Sequence, residues 1–66
     1  MDSTHLLYFK AIAESESLTK AAQSLHISQP ALSKSLSALE KELGRPLFNR
    51  VGGRLYLNAD GRLLLD

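Results

Sequence analysis

Pro30, in the run "LHISQPALSKSL", restricts the folding of this chain more than any other residue. Proline inside a helix costs about 3 kcal/mol, yet it is tolerated in the first turn, where its missing N–H has no intrahelical partner anyway. A helix carrying Pro30 must therefore begin close to Ser28, which is a natural N-cap. Beyond it Leu32, Leu36, Leu39 and Leu43 fall at i, i+4, i+7 and i+11. At about 100° per residue these leucines span about 60° of arc, which predicts a narrow buried seam. Gly44 suits the position just after the helix, and Pro46 prevents its continuation.

The helix before the proline must be a separate one. Leu18, Ala21, Ala22 and Leu25 form a tight helical stripe whose two alanines allow another helix to come close, with Ser17 as its cap. His26-Ile27-Ser28 makes the break. Upstream, Asp2, Ser3 and Thr4 are all good caps for a first amphipathic helix of about three turns. Leu6, Phe9 and Ala13 lie on its apolar side, with Tyr8 and Ile12 beside them, and "ESES" ends it. After Pro46 the period changes. "LFNRVGGRLYLN" holds two short apolar runs around Gly52-Gly53, a pair that supplies positive φ for a tight hairpin. Leu55 and Leu57 share one face of it, Arg54 and Tyr56 the other. Asn58 caps a fourth helix, "ADGRLLLD", and the stop within that apolar helix points to a piece of a longer protein.

Sixty-six residues allow one domain with one small core, and 44% hydrophobic with 23% charged residues is an ordinary folded mix. With no cysteine there is neither a disulfide framework nor a thiolate metal site. No apolar run approaches a membrane span, and "MDSTHLLYFK" lacks a signal-peptide layout, so a cytoplasmic protein without a membrane partner is expected. The net charge of +1 says little, but its distribution is uneven. Between Leu43 and Ala59 there are Arg45, Arg50 and Arg54 and no acid, whereas acids gather at Glu14 and Glu16 and at Glu40 and Glu42.

Helix, helix, tight turn, helix and basic hairpin, in that order, predict a mainly α winged helix-turn-helix, in which the helix after the turn enters a DNA major groove. Opposite the leucine seam stand Pro30, Lys34, Ser37 and Lys41, with Gln29 and Ser33 on the flank. Gln can bond adenine through two atoms, Ser bonds bases or phosphates, and Lys reaches guanine or phosphate. The helix N-terminus favours an anion as well. Phosphates would repel Glu40 and Glu42, so the helix is expected to enter by its first two turns. Arg50 and Arg54 flank the Gly-Gly turn with no acid near them in sequence, which suits phosphates or a minor groove. Thr19 and Lys20 open the second helix, where such helices meet the DNA backbone. Each of these residues also has a plain reading as solvated surface.

The run "YFKAIAESESLTKAAQSLHISQPALSKSLSALEKELGRPLFNR" resembles the N-terminal domain of LysR-type transcriptional regulators. The resemblance rests on Tyr8-Phe9, Leu18-Thr19-Lys20-Ala21-Ala22, Ser28-Gln29-Pro30-Ala31-Leu32-Ser33, Leu39-Glu40, Leu43-Gly44 and Leu47-Phe48-Asn49-Arg50. "LNADG" is similar to the "LTxAG" that begins the family's linker helix, with Asn58 in place of the usual Thr. Lys34 stands where Arg is frequent, Ser35 and Ser37 where bases are frequent, and Val51-Gly52-Gly53 makes a wing with few bases.

The resemblance implies a bacterial regulator that binds double-stranded DNA as a homodimer or dimer of dimers through the linker helix. It implies a small-molecule effector bound only by a C-terminal domain that lies outside this chain. It further implies groove contacts from Thr19, Ser28, Gln29, Pro30, Ser33 and Lys34 and wing contacts from Arg50 and Arg54. The winged domain is expected over residues 1–58, with the helix-turn-helix at about 18–37 and a truncated linker or dimerisation helix starting over 59–66.

Catalysis is not expected. The acids form no arrangement around a cleft, no Gly-rich phosphate loop is present, and His5 and His26 lack companions at catalytic or metal-ligand spacing, so neither a metal nor a cofactor is expected. His26 suits the turn because His tolerates irregular backbone, and His5 is expected on the first helix. The competing reading is a small protein-binding or dimerising module, suggested by Leu63, Leu64 and Leu65. Salt separates the two, since DNA binding must weaken steeply as salt rises and an apolar interface should not.

Overall fold

The computed structural model describes all of residues 1–66. The elements are α1 (Ser3–Ser15), α2 (Leu18–Leu25), α3 (Gln29–Leu43), β1 (Phe48–Val51), β2 (Arg54–Leu57) and α4 (Ala59–Leu65). The winged helix-turn-helix read from the sequence is the architecture observed. No helix is long and apolar enough to cross a membrane.

Each helix starts where a short polar side chain satisfies a free N–H of the first turn. Asp2 is the cap chosen for α1 from its three candidates, and its Oδ1 accepts from His5 N–H at 2.9 Å. That bond is the main cause holding the Asp2 carboxyl below its usual pKa. Ser17 caps α2 through Lys20 N–H at 3.1 Å, and Asn58 caps α4 through Gly61 N–H at 2.8 Å. The first three helices each end on a left-handed residue: Glu16 at φ 57°, His26 at φ 59° and Gly44 at φ 74°. Glycine adopts that conformation without strain, and Glu16 and His26 are held in it by packed helices on both sides.

Phe9, Ile12, Ala21, Ala22, Leu32, Leu36, Leu39, Leu47, Phe48 and Leu55 form the core. α1, α2 and α3 contribute the first seven, and the stretch around the hairpin seals them from below. Phe48 meets Phe9 with ring centroids 5.5 Å apart at a tilted 51°. The seam expected on α3 is one residue too long. Leu43 is 38% exposed, because the helix ends there and Leu43 lies in an open groove with Leu47, Leu63 and Leu64 instead of in the core. Leu47, in the loop after Pro46, is buried in the core instead.

β1 and β2 pair antiparallel, with Val51 opposite Arg54 and Phe48 opposite Leu57. Only Gly52 and Gly53 lie between them, at φ 58° and 79°, so both turn residues need the positive φ that the sequence supplies. Leu55 is buried and Leu57 half-buried on the inner face, with Arg54 and Tyr56 outside. α4 then packs so tightly that a Cβ on Gly61 would stand 2.3 Å from the Leu47 carbonyl oxygen and 2.7 Å from Leu57 Cδ2. Asn58 reinforces this junction, donating through Nδ2 to the Pro46 carbonyl at 2.8 Å and through its own N–H to that of Leu47 at 3.1 Å.

Candidate nucleic-acid interface

The start of α3 is built to expose its polar groups. Ser28 Oγ accepts from Ala31 N–H at 3.2 Å and its carbonyl from Leu32 N–H at 3.1 Å. Pro30 has no N–H to satisfy, so Gln29 keeps the free backbone donor at the helix tip. Leu32, Leu36 and Leu39 turn inward, which forces Ser28, Gln29, Pro30 and Lys34 outward, all of them exposed. Ser33 sits half-buried on the flank, and Ser37 and Lys41 continue the exposed face. Thr19 and Lys20 are exposed at the start of α2. Thr19 and Gln29 meet directly, the threonine hydroxyl donating to Gln29 Oε1 at 3.0 Å.

The two acids on the far half of α3 are occupied within the chain. Glu40 Oε2 accepts from Leu47 N–H at 2.6 Å, so it anchors the loop that carries the hairpin. Glu42 pairs with the Met1 ammonium. Neither role was readable from the sequence, because each partner lies on another element.

The basic segment also differs from its linear reading. Arg54 is not free of acids: its Nη2 lies 3.3 Å from Glu16 Oε1, although 38 residues separate the two. Arg45 pairs with Asp60 at 3.2 Å. Arg50 alone of the three makes no ion pair. Glu16 holds the hairpin by its backbone as well, its carbonyl accepting from Leu55 N–H at 3.1 Å. Glu16 and Gly61 are the structural residues that sequence reasoning passed over. A glycine inside the first turn of α4 is costly unless something must come close, and that was the available signal for Gly61. Glu16 carried none. No group of three or more His, Cys, Asp or Glu side chains comes together to hold a metal ion.

A sequence model of the bacterial regulatory helix-turn-helix proteins of the lysR family matches residues 3–62, nearly the whole chain. The chain belongs to the LysR family. The HTH-type transcriptional regulator YybE of Bacillus subtilis (strain 168) is 48% identical over 65 residues, which cover 98% of this chain and 22% of that protein. TfdT of Cupriavidus pinatubonensis is 42% identical over 66 residues, covering 100% of this chain and 29% of that regulator. The chain thus spans under a third of the length of these curated relatives. Among solved structures, the CbnR DNA-binding domain in complex with DNA superposes with a TM-score of 0.93 at 38% identity, over 98% of this chain and 75% of that one. The BenM DNA-binding domain with catB site 1 DNA also gives 0.93, at 40% identity, over 98% and 72%. In this LysR-family domain, α2 and α3 are the helix-turn-helix and β1–β2 is the wing.

Proposed function

We propose that this domain binds double-stranded DNA sequence-specifically, as the DNA-binding part of a bacterial LysR-type transcriptional regulator. α3 enters the major groove by its first two turns, and the wing lies on the backbone or in the minor groove. The observation that carries this reading is the end of α3. Its cap, its proline and its inward leucines leave Ser28, Gln29, Pro30 and Lys34 exposed on one convex tip, with no acid bonded there. Solved relatives of the same fold are complexes with DNA.

Gln29 is the principal base reader, with Ser33 and Lys34 beside it, and Thr19, Ser28 and Pro30 complete the contact surface. Lys34 acts as a single point charge where a guanidinium would offer two parallel bonds. Arg50 and Arg54 serve the wing. Residues 1–58 form the winged domain, and 59–66 begin a linker helix through which two copies pair. Leu63, at 76% exposure, belongs to that pairing surface. An effector would act through a separate C-terminal domain. The domain itself performs no catalysis and takes no cofactor, and it works in the cytoplasm.

Selection of bound duplexes from a random pool tests the reading. Enrichment of a defined motif is the expected result. A pool that stays random, with binding retained, would reduce the domain to a phosphate binder, and a pool that is never retained would remove DNA as the partner.

A further inference from the structure

The side chains of Thr19 and Gln29 meet across the turn of the helix-turn-helix, one at the start of each helix. We propose that Thr19 is a positioning residue for base recognition, which tethers the Gln29 amide at the start of α3 and thereby sharpens the choice of base that Gln29 accepts. The proposal rests on the DNA-binding reading above.

A glutamine amide is chemically two-ended. One end is a carbonyl oxygen with two lone pairs, the other an NH2 with two hydrogens, and a half-turn exchanges them. An unrestrained Gln29 at the exposed tip of α3 could therefore lead with either end. The Thr19 hydroxyl ties the amide to the start of α2 and so restricts where it can swing. It donates to Gln29 Oε1 at 3.0 Å, which turns Nε2 away from Thr19; with the amide turned over, the hydroxyl would accept from Nε2 instead, so the tether holds in either sense. The bond uses one lone pair of Oε1. Both Nε2 hydrogens and one Oε1 lone pair remain for a base.

That set of groups matches adenine, whose N7 accepts from Nε2 while its N6 donates to Oε1. Guanine and thymine offer acceptors without the adjoining donor. Cytosine presents only its N4 donor and leaves the Nε2 hydrogens without a partner. Adenine should rank first at the position Gln29 reads and cytosine last.

The same bond bears on what Thr19 itself can do. Threonine has a single hydroxyl hydrogen. While that hydrogen is donated to Gln29, it cannot be donated to a phosphate, so in this arrangement the Thr19 hydroxyl gives no hydrogen bond to the backbone. Lys20, exposed next to it, has no such commitment and is free to meet the backbone.

The test measures the affinity of the whole domain for its selected site and for the four base pairs substituted at the position that Gln29→Ala flattens. Wild type, Thr19→Val, Thr19→Ser and Gln29→Ala are compared, together with the Thr19→Val/Gln29→Ala double variant. Thr19 is exposed, so valine preserves the shape of the side chain without disturbing the core, and Thr19→Ala gives a second hydroxyl-free variant. Thr19→Val and Thr19→Ala are expected to shrink the adenine-to-cytosine ratio by about fivefold or more. Thr19→Ser restores the ratio, and Thr19→Val shrinks nothing further once Gln29 is alanine.

A Thr19→Val that weakens binding to every duplex by one factor, additively with Gln29→Ala, would make Thr19 a phosphate contact and overturn the proposal. So would an unchanged ratio in Thr19→Val while Gln29→Ala flattens it. If no position responds to Gln29→Ala, then Gln29 reads no base, and the positioning role falls together with that assignment.

Discussion

The helix-turn-helix and the wing are held in place by different kinds of interaction. From Leu18 to Gly44 the start and end of each helix are secured by residues a few positions away. Ser17 bonds Lys20 and Ser28 bonds Ala31, and Gly44 and Arg45 N–H groups close back onto Lys41 and Glu40 carbonyls at 3.2 and 3.0 Å. Its apolar stripes then pack against each other and against α1. The hairpin has only its Gly-Gly turn and its four-residue pairing as local support. Everything else that orients it comes from distant parts of the chain: Glu16 through two bonds, Glu40 through Leu47, Phe9 through Phe48 and Gly61 through α4. A reading helix can be made rigid by its own sequence, whereas a two-stranded ribbon takes its direction from whatever it is tied to.

The largest effect should separate these two regions. Leu32→Ala, at a fully buried position in α3, should cost about 2–5 kcal/mol in denaturant unfolding and loosen the whole domain. Gly61→Ala should cost about 1–3 kcal/mol, because the added methyl meets a backbone carbonyl that cannot swing aside. Its damage should be local. Hydrogen exchange should show amides in 48–66 losing protection while those of α1, α2 and α3 keep theirs. Equal loss in both regions would show that wing and helices are one cooperative unit and would break the comparison.

In binding, Gln29→Ala should cost about 1–3 kcal/mol on the selected site and little on a scrambled duplex. Equal losses on both would take base reading away from Gln29. The wing arginines should divide by their partners. Arg50 is unpaired, so Arg50→Ala should shallow the salt slope by about one unit on every sequence. Arg54 must release Glu16 to reach a phosphate, and Arg54→Ala should cost less than Arg50→Ala. Glu16→Gln should then strengthen DNA binding by at most about 1 kcal/mol, the scale of an exposed ion pair. A weakening would mean that Glu16 matters more by aiming Arg54 than by competing for it.

The smallest effect concerns acid. The Asp2 carboxyl is held below its ordinary value by the His5 N–H, so its cap contributes above the unfolded pKa and is lost as pH falls through and below about 4. Amides in the first turn of α1 should lose protection there first, and Asp2→Asn, which keeps an accepting oxygen, should blunt the change.

The same division explains what could be read from the chain. Pro30 with Ser28, the alanine pair of α2, Gly52-Gly53 and Asn58 all encode their structure through neighbours within four residues, and each was found where the sequence put it. Leu43 failed because periodicity places a residue on a face and cannot say where the packing partner ends. Arg54 failed for a related reason. Sequence showed no acid beside it, and the fold supplied one from the α1–α2 corner. At the tip of α3 the outward placing of Gln29, Pro30 and Lys34 followed from the leucine seam alone. The Thr19–Gln29 bond did not, since it needs the angle between two helices.

The most direct test of the central claim is the affinity for a labelled mixed-sequence duplex, measured by fluorescence anisotropy at several salt concentrations. With Lys20, Lys34, Arg50 and Arg54 at phosphates, log affinity should fall linearly with log salt at a slope of about −3 to −4. A flat response, or no binding at low salt even when the chain is extended through a longer linker helix, would contradict DNA as the partner and leave a protein-binding module in its place.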